Sequence, residues 1–136
     1  MIRRIARELI VQSLFQIDFS GCTAEEALNA AVEEQNSKDA VKAQNYAQVA
    51  INGILNDKAG IDAKIKEYSI DWDVERMPGV DRNILRLAVY EIYFAENKIP
   101  AGIAINEAVE IAKVYGSEDS PRFINGLLGK MVRNNE

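Results

Sequence analysis

Histidine is missing from all 136 residues. Its absence removes the usual general base at neutral pH, the commonest metal ligand and every histidine-containing triad. Cysteine occurs once, as Cys22, which excludes an intramolecular disulfide and a cysteine-based metal cage. Proline is confined to Pro78, Pro100 and Pro121, each reading as punctuation between helices. No run approaches the ~18 apolar residues that a membrane helix needs, and Met1-Ile2-Arg3-Arg4 leads into no apolar signal stretch. A cytoplasmic protein without membrane attachment is expected. Sustained period-two alternation is also absent, which argues against sheets.

Catalytic signatures are lacking too. There is no GxGxxG, no GxxxxGK[ST] and no GxSxG elbow. Paired carboxylates occur at Glu25/Glu26, Glu33/Glu34 and Asp71/Asp73, but on polar stretches where water is the default neighbour, and carboxylates need burial or a coupled partner to act as a dyad. Cys22 stands just before a helix start at Thr23, yet no histidine is available to assist it. Neither an enzyme nor a bound cofactor or metal is expected.

What is there suits one globular domain: apolar residues make up 48% and charged residues 27% of the chain. The net charge of −5 argues against a generic nucleic-acid coat. Its distribution is uneven, however: residues 1–20 carry +1, residues 113–133 carry +2, and the rest carries −8. An anion site is therefore expected where the two ends of the chain meet, as one cationic cleft on an acidic body.

Apolar spacing at three and four residues recurs almost throughout and predicts helices. The first spans about residues 2–17, with Ile2, Ile5, Ala6, Leu9, Ile10, Leu14 and Ile17 inward. The second starts at Thr23 as a capping box with Glu26 and carries Ala27, Leu28, Ala31 and Val32. The third spans about residues 38–56, with Val41, Tyr46, Val49, Ala50, Ile54 and Leu55 inward. Gly60 marks a bend, and a shorter helix through Ile61, Ile65 and Tyr68 leads to Trp72. Met77-Pro78-Gly79 is the clearest loop and divides an amino-terminal half (1–70) from a carboxy-terminal half (71–136). A long helix then opens at Asp81 and runs through Ile84, Leu85, Ala88, Ile92 and Ala95. Another spans about residues 103–115 and stops at Gly116, read as a C′ glycine. The last starts at Ser120-Pro121, a capping serine with proline at N1. The fold class expected is all-α, roughly seven helices in two packed subdomains of a single domain.

Two places serve such a fold poorly. On the first helix, Arg4, Arg7, Val11 and Phe15 lie opposite the core face, with Arg3 at the margin. Three arginines in the first two turns oppose the helix dipole by a few tenths of a kcal/mol each. Solvation alone accounts for arginines at a surface, and Phe15 can lie beneath another helix. Together they form a surface that meets phosphate first and something apolar next. On the last helix, Gly116-Ser117-Glu118-Asp119-Ser120-Pro121 puts small polar residues at a start where backbone N–H groups can receive an anion. Arg122 and Phe123 add a guanidinium and a ring in the first turn. Ordinary capping by Ser120, with Asp119 complementing the dipole and Phe123 as core, is compatible with that role. Gly126 and Gly129 cost about 1 kcal/mol each inside a helix, which close approach of a neighbouring helix would offset.

Arg3-Arg4-Ile5-Ala6-Arg7-Glu8, Val11-Gln12-Ser13-Leu14-Phe15 and Asp81-Arg82-Asn83-Ile84-Leu85-Arg86-Leu87-Ala88-Val89-Tyr90-Glu91 resemble segments of the NusB family. So do Ile99-Pro100, Ile105-Asn106-Glu107-Ala108-Val109-Glu110-Ile111-Ala112-Lys113 and Phe123-Ile124-Asn125-Gly126-Leu127-Leu128-Gly129-Lys130. The resemblance covers nearly the whole chain and is least distinctive over residues 20–70. It implies a transcription antitermination adaptor that binds boxA-type RNA of nascent ribosomal transcripts together with the ribosomal small-subunit protein NusE, within an RNA polymerase antitermination complex. Carried over, the RNA surface comprises Arg3, Arg4, Arg7, Asp119, Arg122 and Phe123, and the NusE-facing surface Phe15, Asp81 and Glu91. Phe15 stands where tyrosine is common in the family, which keeps the ring and loses a hydroxyl. Asp81 is shorter than the glutamate often found there.

An adaptor of this kind predicts salt-dependent RNA binding strengthened by NusE, with a log–log slope near −0.7 per phosphate, or roughly −2 to −3 for three or four contacts. A homodimeric helical interaction module with no RNA binding of its own is the alternative, since exposed apolar residues on the first helix suit self-association equally well. A third relation, to the NusB-like domain of certain RNA cytosine methyltransferases, finds no cofactor-binding glycine loop here.

Overall fold

The computed structural model describes residues 2–69 and 73–135. Ile2 is placed in its helix, but the burial expected of its side chain lies outside what is described, as do Trp72 and the Asp71 half of the Asp71/Asp73 pair. Among the described residues there are seven α-helices and no strand: α1 (Ile2–Ser20), α2 (Ala24–Gln35), α3 (Lys38–Asn56), α4 (Lys58–Tyr68), α5 (Gly79–Val89), α6 (Ala101–Tyr115) and α7 (Ser120–Asn134). A single 3-10 turn covers Val74–Arg76, and a π-helical segment, Tyr90–Phe94, continues α5. None of the described helices is long and apolar enough to cross a membrane.

Two compact units result, Met1–Asn56 and Asp57–Glu136. The division falls well before the Met77-Pro78-Gly79 loop, because α4 packs on α5 and α7 rather than on the helices before it in sequence. In the first unit α1 packs on both α2 and α3, and α2 on α3. Gly21 ends α1 with φ +72, a left-handed conformation that costs glycine little, and its N–H bonds to Ile17 O at 2.9 Å. The capping box of α2 forms as expected: Glu26 N–H donates to Thr23 Oγ1 at 3.1 Å and Thr23 N–H to Glu26 Oε1 at 2.9 Å. Asn36 closes α2 in the left-handed region at φ 50, where asparagine is enriched among non-glycine residues.

Packing around two neighbours widens the buried part of α1. Ala6, Arg7, Leu9, Ile10, Val11, Ser13 and Leu14 are all buried, which at 3.6 residues per turn covers more than half the circumference. Val11, expected on the wet face, is 2% exposed. The inward face of α3 also differs from expectation. Val41, Tyr46 and Val49 are exposed, whereas Ala40, Ala43, Ala47, Ala50, Ile51 and Ile54 are buried. Alanines at spacings of three and four let helix backbones approach closely, so the small residues, not the large ones, mark this core face.

In the second unit, Arg82 Nη1 donates to Val74 O at 3.4 Å and Glu75 O at 3.1 Å, fastening the 3-10 turn to α5. Gly60 lies within α4 rather than at a bend, and a Cβ there would stand 3.3 Å from the Phe94 ring. The long helix expected from Asp81 begins two residues earlier and changes register: Ala95 N–H reaches Tyr90 O at 2.7 Å, an i→i+5 bond. Burial, then the carboxylates of Asp57, Glu91 and Glu96, push the Tyr90 phenol above its usual range.

Gly116 ends α6 in extended backbone (φ −90, ψ −174), not in the left-handed geometry of a C′ glycine. Space is what requires glycine here, for an added Cβ would lie 2.5 Å from Ser120 Cβ. Ser120 in turn does not cap α7. It is the first helical residue, 1% exposed, accepting the Ser117 N–H at 2.9 Å and donating to Asp81 Oδ1 at 2.6 Å. Asp119 takes the capping position without a side-chain bond, and Pro121 occupies the second helical residue. The close helix approach expected at Gly126 and Gly129 is absent: a Cβ on Gly126 would meet nothing within 4 Å, and one on Gly129 would meet only Arg133 of its own helix, at 3.3 Å. Nothing in the structure explains Gly126.

Candidate nucleic-acid and partner interface

The first unit supplies a row on α1 at four-residue spacing, which places side chains one above another. Arg3 is exposed, Arg7 is 4% and Val11 2% exposed, Phe15 is half-buried and Phe19 is 78% exposed. The row thus enters the protein after its first member and leaves it at the carboxy-terminal end. Arg3 and Phe19 stand roughly 24 Å apart along the axis at 1.5 Å per residue, so the surface expected to grade from basic to apolar is interrupted. Arg4 is exposed beside Arg3. Arg7, expected on that surface, is drawn into the protein instead.

At the far end, the Phe15 and Phe19 rings lie 6.2 Å apart between centroids and 6° from parallel. Aromatic pairs of this geometry contribute about 0.5–1.5 kcal/mol beyond their buried area, but here the outer ring is left mostly in water. Phe19 escaped the sequence reading, although its spacing of four from Phe15 puts it on the same row. The start of α1 makes a further contact: the Arg3 guanidinium carbon lies 5.9 Å from the centre of the Tyr46 ring on α3.

The second unit holds the other expected residues. Asp119 and Arg122 are exposed at the start of α7 and Phe123 is half-buried, its N–H bonded to Asp119 O at 3.1 Å. Asp81 and Glu91, expected to face a protein partner, are 4% and 2% exposed. Asp81 is occupied with Ser120, tying α5 to the start of α7. A second buried cluster lies next to Asp81 on α5. Arg86, 4% exposed, donates from Nε to Asp62 Oδ1 at 2.8 Å and from Nη2 to Asp62 Oδ2 at 2.9 Å. Its Nη1 reaches Asn83 Oδ1 at 3.0 Å, and Asn83 Nδ2 donates to Gly79 O at 2.8 Å. This fork-to-fork pair is a clamp between α4 and α5. Among the described residues, no three of the Cys, Asp and Glu side chains converge as a metal site would require.

A sequence model of the NusB family matches residues 4–133. The chain belongs to the NusB family. It is 45% identical to the transcription antitermination protein NusB of Pelotomaculum thermopropionicum over 136 residues, covering 100% of this chain and 92% of that protein. A solved structure of Thermotoga maritima NusB superposes with a TM-score of 0.83 at 39% identity, over 96% of this chain and 90% of that one. A structure of the antitermination factors NusB and NusE in complex with double-stranded RNA matches with a TM-score of 0.84 at 28% identity, over 98% and 97% of the two chains.

Proposed function

We propose that the chain is a non-enzymatic, cytoplasmic transcription antitermination adaptor that binds boxA-type RNA of nascent ribosomal transcripts jointly with NusE, within an RNA polymerase antitermination complex. Its family membership supports this reading, as does the relative solved with NusE and RNA. The observation that carries the division of labour is the α1 row, with an exposed arginine at one end and, at the other, a stacked aromatic pair whose outer ring, Phe19, is exposed. Arg3 and Arg4 contact phosphate. Arg122 and Asp119, in the second unit, contact RNA, with the Phe123 ring offered to a base. Phe15 and Phe19 receive the protein partner, where aromatic anchors concentrate binding energy. Arg7, Asp81 and Glu91 shape these surfaces from within.

The test is a titration of boxA-type RNA into the protein, alone and with NusE, at several salt concentrations. Arg3→Ala with Arg4→Ala is expected to weaken RNA binding and flatten the log–log salt slope by roughly 1.4, or 0.7 per lost phosphate contact. Phe15→Asp is expected to spare RNA binding by the protein alone while weakening the joint complex. Unchanged binding in both variants would remove these sites. A homodimer sealed by the exposed Phe19 is the competing arrangement, and sedimentation at micromolar concentration with and without RNA separates the two.

A further inference from the structure

We infer that Tyr46 and Lys42 of α3, together with Arg3, form a second RNA-contacting platform on the first unit, on which one unpaired base stacks against the Tyr46 ring. The inference rests on the RNA-binding reading above and extends it to a helix that reading leaves out.

Tyr46 is a large aromatic on a surface helix, 38% exposed. Lys42 is exposed four residues before it and Val49 is 67% exposed three residues after it. Spacings of four and three put these side chains on one stripe of the helix, reading cation, ring, apolar. The buried alanines of α3 lie on a different face. Arg3 reaches this stripe from α1, its guanidinium 5.9 Å from the ring centre. A partly exposed ring met by a guanidinium from one helix, with a lysine one turn away on its own helix, is what a single-stranded nucleic acid uses: the phosphates meet the cations while a base stacks on the ring, in a manner tolerant of sequence. Asp39, one turn before Lys42, is the acidic residue at the end of this stripe and limits the platform to the stretch from Lys42 onward. Double-stranded RNA, with its bases stacked inside, could use the cations but not the ring.

The probe is a single-stranded boxA-type RNA carrying 2-aminopurine at successive positions, titrated with the full chain in the presence of NusE. One position is expected to change fluorescence on binding. That change is expected to vanish in Tyr46→Leu, with an affinity loss of about fivefold to tenfold, the lower part of the range for a base on an aromatic platform because the ring is partly exposed. Tyr46→Phe, which keeps the ring, is expected to restore both. Lys42→Ala is expected to flatten the log–log salt slope by about 0.7. If Tyr46→Leu binds with wild-type affinity and an unchanged fluorescence pattern while Arg3→Ala with Arg4→Ala loses binding, the platform is wrong and the RNA-binding reading stands. If Tyr46→Phe behaves as Tyr46→Leu, the hydroxyl and not the ring matters, and stacking is refuted. If the wild-type chain with NusE binds no boxA-type RNA at all, both fall together.

Discussion

The buried face of α3 in the first unit consists of Ala40, Ala43, Ala47 and Ala50 with two isoleucines, whereas α5 in the second unit buries Asp81, Asn83 and Arg86 among its apolar residues. Both helices are tightly packed, but by different means. The first relies on small side chains that let backbones come close, with its charges left outside. The second takes charges inward and satisfies them: Arg86 with Asp62 and Asn83, Asp81 with Ser120. The lesson concerns tolerance. A unit packed by alanines is sensitive to added volume, and a unit clamped by polar groups is sensitive to their removal.

The largest effect is expected from removing Arg86. Arg86→Ala strands the Asp62 carboxylate and the buried side-chain oxygen of Asn83. Breaking a buried ion pair costs about 3–5 kcal/mol. The lower end applies here, because the Asp62 side chain is 25% exposed and regains water. Chemical denaturation at neutral pH checks the magnitude. Asp62→Leu combined with Arg86→Met is expected to recover much of the loss, since replacing both partners by apolar groups leaves no orphaned charge. If the double variant is no better than the single one, the pair contributes more than mutual satisfaction.

Next is the first unit. Ala47 is fully buried, and Ala47→Leu inserts three carbons between close-packed helices, at a cost of about 1–3 kcal/mol. Val49, two residues on and 67% exposed, is expected to tolerate Val49→Ala within roughly 0.5 kcal/mol. Thermal melting of the two variants side by side puts the comparison at risk: a costly Val49→Ala with a silent Ala47→Leu would mean that α3 is buried on the opposite face.

That pair of residues also shows where sequence reading succeeds and fails. The positions of the helices follow from periodicity and punctuation, and the capping box at Thr23 forms bond for bond, because these signals are local. The face of α3 was not legible: weighting by side-chain size favours Val41, Tyr46 and Val49, and alanine carries too little hydrophobicity to outvote them. Val11 and Arg7 look solvent-facing when α1 is given a single core stripe, but two packed neighbours widen that stripe. Ser120 reads as a cap from its type and place, yet its hydroxyl is claimed by Asp81, a partner 39 residues away. The π-helical register at Tyr90–Phe94 leaves no mark in apolar spacing. At the candidate site, Arg3, Arg4 and Phe15 stand out by residue type against the helical wheel and Arg122 by its place in the first turn of α7, whereas the exposure of Phe19 and the Arg3 contact with Tyr46 are set by how the helices pack. Burial of Asp81 and Glu91 was invisible for the same reason as the Ser120 bond, being set by contacts between helices.

The smallest expected effect tests how much the Glu26 charge contributes to the first unit. Glu26 sits in the first turn of α2 with its carboxylate accepting the Thr23 N–H, and that bond, followed by the one with the Thr23 side chain, holds its pKa below the usual 4.5. A carboxyl group whose pKa is lower folded than unfolded binds fewer protons in the native state, so it stabilises above the unfolded value and that contribution disappears as pH falls through the folded one. Glu26→Gln keeps the neutral capping geometry, since glutamine also completes the box, and removes only the titrating charge and its interaction with the helix dipole. The variant is therefore expected to melt slightly below the parent at pH 7, with the gap closing as pH drops below about 4.5 towards the acid limit. Parallel melting curves from pH 7 down to pH 3 measure it. A gap that stays constant across that range would assign the bond to geometry alone, with no measurable share from the Glu26 charge.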